Sequence, residues 1–108
     1  GNTTSVFNLY VSVRHSTATN DAYQAANFFV RAEKAVPADC YLHTIADAGN
    51  IASTFEVLDE NGYSAASDMT DGNVGIGITA DASGWYVYLA NRAGYSIVAG
   101  FKASAISN

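Results

Sequence analysis

Charge is scarce in this chain. Asp, Glu, Lys and Arg make up only 14% of its 108 residues, while hydrophobic residues make up 49%. An average soluble domain carries roughly 25% charged residues. The surface is therefore left to Ser, Thr, Asn, Gly, Ala and Tyr, a covering that suits carbohydrate contact or burial against other subunits. The five basic residues, Arg14, Arg31, Lys34, Arg92 and Lys102, are scattered, and the net charge is −5. The absence of a basic stripe argues against nucleic-acid binding. No apolar run approaches the roughly 20 residues of a membrane-spanning helix. No basic n-region followed by an apolar h-region opens the chain. Gly1 reads as a cleavage scar, and the chain is compatible with a fragment of a longer protein.

Cysteine is nearly absent. Cys40 stands alone, so no internal disulfide can form and no Cys-x-x-Cys metal or redox pair exists. His43 is three residues away, which on a strand is the opposite face. Cys40 therefore reads as a small buried hydrophobe. Catalytic signatures are missing as well. "GYSAA" and "GYSIV" lack the second glycine of a nucleophile elbow. No P-loop, His-Glu-x-x-His or Gly-x-Gly-x-x-Gly motif occurs. The expectation is a non-enzymatic chain with no cofactor and no metal. Asp59, Glu60, Asp68 and Asp71 do not follow the calcium-loop pattern and read as turn residues. Glu33 and Glu56, on presumed strands, or an Asp pair could form a carboxylate pair, but nothing in the sequence fixes their distance and a glycosidase reading is unsupported. His15 reads as a solvated loop residue, and His43 as a hydrogen-bonded core or interface histidine.

What the chain does have is alternation. In "VFNLYVSV" (6–13), Phe7, Leu9, Val11 and Val13 share one face, and Asn8, Tyr10 and Ser12 the other. "NDAYQAANFFVRAEKAV" (20–36) carries helix signals: Asp21 with Gln24 resembles a capping box, and alanines abound. Within it, "NFFVRAE" alternates, with Phe28, Val30 and Ala32 on one side, and the strand reading of 27–33 is preferred. "CYLHTIA" (40–46) predicts a strand and "DAGN" (47–50) a turn. "STFEVLD" (53–59) predicts a strand with Phe55 and Val57 inward. Asn61-Gly62 predicts a hairpin. The whole predicts one all-β domain over 1–108. Its expected form is a compact antiparallel β-sandwich, jelly-roll-like, of seven or eight short strands.

The stretch "NVGIGITADASGWYVYL" (73–89) predicts a hairpin with Ala80–Ser83 as its loop. Val74, Ile76 and Ile78 then face Leu89, Val87 and Trp85, while Gly75 and Gly77 face Tyr88 and Tyr86. Each bare glycine lies under a ring, the arrangement called aromatic rescue. A third strand from Tyr95 onward would extend this into a meander over 74–102. Its back face would carry Tyr86, Tyr88 and Val98 with almost no charge. Three readings fit such a face: cover from the same chain, a subunit interface, or a ligand platform. The interface reading is preferred, because aromatic, charge-poor patches mark interface cores.

"GWYVYLANRAGYSIVAGFKASAI" (84–106) resembles the closing strands of small β-sandwich domains at the ends of phage tail fibres and tail spikes. The resemblance covers about a fifth of the chain and transfers no individual residue. It implies a homotrimer on a virion or other extracellular surface that binds cell-surface glycans or chaperones fibre assembly. On that expectation Tyr86, Tyr88 and Val98 carry the subunit contact, and Tyr10, Tyr23 and Tyr63 are candidates for stacking on sugar. The alternative is a monomeric carbohydrate-binding module of a secreted enzyme.

Overall fold

The computed structural model describes residues 3–34, 39–58 and 69–105. The expected Asn61-Gly62 hairpin, Tyr63 and the acidic residues Asp59, Glu60 and Asp68 lie outside the described residues.

All regular structure among the described residues is β. The strands are β1 (Thr3–His15), β2 (Tyr23–Lys34), β3 (Asp39–Gly49), β4 (Glu56–Val57), β5 (Val74–Ala80), β6 (Trp85–Asn91) and β7 (Ile97–Ala105). They form two packed sheets, a four-stranded sheet ordered β3-β2-β1-β7 and a three-stranded sheet ordered β4-β5-β6. The chain is an all-β sandwich. β1, β2 and β3 are consecutive antiparallel neighbours, and β7 returns to lie antiparallel beside β1. That order, 7-1-2-3, is a Greek key, and the excursion between β3 and β7 builds the second sheet.

The alternation of β1 and β2 sets the core. Phe7, Leu9, Val11 and Val13 of β1 and Phe28, Val30 and Ala32 of β2 are buried. They meet Phe55, Val74, Ile76 and Ile78 from the opposite side. Phe28 packs edge-on against Phe55, and Phe7 stacks on Trp85 at 4.6 Å. The helix signals in 20–36 are overridden, because a helix would scatter Phe28, Val30 and Ala32 around its surface instead of burying all three. Cys40 and Leu42 join the core from β3.

Four expectations are corrected. β6 and β7 do not share a sheet, so no 74–102 meander forms. Alternation fixes which face of β7 is apolar and does not fix its neighbour. Beside β1 it makes nine residue pairs, whereas β6 has only seven residues to offer. The β5–β6 loop is Asp81–Gly84, one residue later than expected, because Asp81 Oδ1 accepts from the N–H groups of Ser83 and Gly84. Gly77 therefore faces Tyr88, Thr79 faces Tyr86, and Gly75 faces Ala90. β4 has only two residues and pairs parallel with β5. Phe55, just before it, points inward as expected, but Val57 is exposed. Finally, the turn expected at 47–50 is mostly strand, since β3 runs to Gly49.

Candidate functional site

The strand register of the four-stranded sheet decides which side chains meet on its outer face. The inner face of β1 takes its odd-numbered residues, so the even-numbered ones point outward. Ser12 lies opposite Ala25 of β2 and Gly100 of β7, and Ala25 lies opposite Ala48 of β3. Ala48, Ala25, Ser12 and Gly100 thus form a row of small residues across all four strands. The row on one side is Tyr23, Arg14 and Val98. The row on the other is Ala46, Asn27, Tyr10 and Lys102. Low residues between two taller rows make a transverse trough.

Two adjoining depressions mark this trough. One of about 480 Å³ is lined by Tyr10, Ser12, Arg14, Tyr23, Ala25, Val98 and Gly100 among others. A second of about 150 Å³ continues past Tyr10 and Ala25 to Asn27, Ala46 and Ala48. The larger falls within the range of roughly 300–1,000 Å³ typical of small-ligand sites. Tyr10 and Tyr23 are 45% and 48% exposed, so each offers a ring to a ligand. Gly100 keeps the floor low where a side chain would rise from it.

A bulge in β3 completes the floor. The β2–β3 register shifts between Asn27, which pairs with Ala46, and Phe28, which pairs with Thr44. The extra residue, Ile45, is exposed. An inserted residue reverses the facing of everything beyond it. Ala46 and Ala48 therefore turn outward into the trough, and Asp47 turns inward. There its carboxylate accepts from Gln24 Nε2 at 2.5 Å and from the Phe55 N–H at 2.7 Å. Gln24 is fully buried, and its Oε1 accepts from the Ala52 N–H. This network fastens 50–55 to the edge of the trough's own sheet.

The sequence-expected site residues are divided by the fold. Tyr10 and Tyr23 come together on the trough. Val98, expected beside Tyr86 and Tyr88, instead stands in the Tyr23 wall, because β7 belongs to the other sheet. Tyr86 is 49% exposed on β6, with its hydroxyl 3.5 Å from Asp81. Tyr88 is half-buried and covers Gly77, where Tyr86 was expected: a Cβ there would overlap the Tyr88 ring. Gly75 is covered by the Met69 thioether, whose Cε would lie 2.8 Å from an added Cβ.

The remaining candidates lie apart from the trough. Glu33 lies on the four-stranded sheet 4.0 Å from Arg31, and Glu56 is in the other sheet. Glu56 Oε1 accepts from the Thr70 N–H and from Asn73 Nδ2. Its pKa is held below the ordinary carboxylate value, chiefly by the hydrogen bonding from Thr70, with Asn73 and the nearby Arg92 acting in the same direction. Arg92 in turn donates to the Met69 carbonyl and lies 3.4 Å from Asp71. Among the described residues, no group of three His, Cys, Asp or Glu could hold a metal ion. Cys40 is buried and His43 exposed on opposite faces. His43 stacks on Tyr41 and shares a 3.1 Å hydrogen bond with its hydroxyl. His15 is not free in a loop: it ends β1, stacks on Tyr95 and accepts from the Thr17 N–H at Nδ1.

Reading the sequence missed Arg14, Asn27 and Lys102 as companions of Tyr10 and Tyr23. The phase of β1 alone places Tyr10, Ser12 and Arg14 on one face. Adding Lys102 required knowing that β7 pairs with β1. Comparison with family models, with curated proteins and with solved structures returned no match to this chain.

Proposed function

We propose that this chain is a non-enzymatic glycan-binding domain, of the receptor-binding kind carried by a virion tail fibre or another surface appendage. The observation that carries the reading is the trough: two half-exposed tyrosines beside a floor of Ala, Ser and Gly. Sugar rings present apolar C–H faces to aromatic rings and hydroxyls to polar neighbours. Ser12 and Asn27 supply such neighbours, and the low floor lets a saccharide approach the backbone. The scarcity of charge elsewhere and the resemblance of 84–106 to tail-fibre domains support the setting. Glycan-array binding tests it. The wild-type chain binds at least one saccharide class, and Y10A/Y23A weakens that binding about 10-fold or more with a folded spectrum retained, a loss equivalent to about 1.4 kcal/mol. Binding unchanged in the double variant overturns the assignment of this face.

Homotrimer formation is a second part of the proposal, and a different observation favours it. The inward side of β7 carries Ile97, Ala99, Phe101, Ala103 and Ala105, yet Phe101 is 48% exposed. β7 is also an edge strand, and an uncovered apolar edge is a template for pairing with another chain. The subunit contact is thereby assigned to β7 and not to a joint face of Tyr86, Tyr88 and Val98. A monomeric carbohydrate-binding module is the alternative, and it shares the trough.

A further inference from the structure

We infer that the trough takes an acidic saccharide, a uronate-bearing chain, in preference to a neutral one. The inference rests on the glycan-binding reading and specifies its ligand. The observation is where the unspent positive charge lies. Side chains are described for four of the five basic residues. Arg92 is committed to Asp71 and the Met69 carbonyl, and Arg31 lies beside Glu33. Arg14 and Lys102 make no ion pair among the described residues; Arg14 bonds only the carbonyl of its neighbour His15.

Both stand on the trough, one in each wall. Arg14 is in the Tyr23 row, and Lys102 lies opposite Tyr10 in the other. Four residues along β1 separate the two rows, roughly 13 Å at strand spacing. That span brackets more than one sugar residue. Each cation therefore sits beside a ring, so one ligand unit can stack on tyrosine while its carboxylate meets the charge. No Asp or Glu opposes them: the one carboxylate along the trough, Asp47, is turned inward onto Gln24 and Phe55. In a chain of net charge −5, a trough with two cations in its walls and no anion turned into it is locally reversed in sign, Glu33 lying outside it beside Arg31. A nucleic-acid strand fits less well. It carries about one charge per 3.4 Å, which two cations cannot match against the repulsion of an acidic protein.

Calorimetric titration at low salt with an oligogalacturonate, a size-matched cello-oligosaccharide and single-stranded DNA tests the assignment. The uronate is expected to bind about 10-fold or more tighter than the neutral chain, the effect of one charge-assisted contact. Raising the salt and making R14Q/K102Q should each bring the uronate down to the neutral level. R31Q, which removes a charge outside the trough, should leave the uronate affinity within about twofold, as expected of a screened exposed charge. Equal binding of uronate and neutral chain overturns the charge assignment and leaves the glycan-binding reading standing. DNA binding as tight as the uronate also overturns it. No binding of any saccharide, with Y10A/Y23A equally silent, sinks the glycan-binding reading itself.

Discussion

Gly77 and Tyr88 make the most local claim. They face each other across β5 and β6, and a Cβ on Gly77 would strike the far end of the ring. The ring can swing away, so the expected cost of G77A is loss of its seat, about 1–3 kcal/mol. Chemical denaturation should show that loss in the wild type. In a Y88A background the same change should cost nothing, since alanine is favoured over glycine in a strand by about 0.5–1 kcal/mol. Additive losses would mean that the two residues do not interact. That Gly77 faces a ring of β6 was legible in the sequence from alternation, although the expected loop put Tyr86 there and not Tyr88. The loop position was not. "ADAS" and "DASG" are equally long, and only the hydrogen bonds accepted by Asp81 choose between them. That choice moved Gly75 from beneath Tyr88 to beneath Met69.

At the scale of the element, β1 was readable outright, since Phe7, Leu9, Val11 and Val13 alternate without interruption and all are buried. β2 was harder, because its alanines favour helix locally while the burial of Phe28 and Val30 decides for strand. The bulge in β3 left no mark in the sequence. Simple alternation puts Asp47 on the same side as Tyr41 and His43. The extra Ile45 reverses it, and the inward carboxylate then holds Gln24 and the Phe55 N–H. D47A leaves a buried amide and a backbone N–H without their acceptor, which typically costs about 2–4 kcal/mol together. A fall of that size in unfolding free energy is expected. A change under about 0.5 kcal/mol, the level of an ordinary surface substitution, would show that Asp47 is not the tie between β3 and the 50–55 segment.

For the whole molecule, the lesson is that faces are local and neighbours are not. The sequence announced two sheets' worth of alternating strands, and the sandwich follows from them. It could not announce that the last strand closes a Greek key with the first, because a meander satisfies the same pattern. The candidate site depended on that closure: Tyr10 and Lys102 are far apart in the chain and adjacent only through the β1–β7 ladder. The same closure leaves Phe101 uncovered on the inner side of β7. Light scattering is expected to give a mass three times the 11.3 kDa of one chain, and F101E is expected to reduce it to one. A wild-type monomer would remove the trimer and leave the single-chain binding module.

The claim on which the account turns is that the outer face of the four-stranded sheet is the working surface. Amide NMR spectra recorded during titration with an oligogalacturonate test it most directly. Perturbations are expected to cluster at Ser12, Arg14, Ala25, Gly100 and Lys102, with β5 amides unmoved. Perturbations confined to β4, β5 and β6, or spread evenly over both sheets, would contradict it.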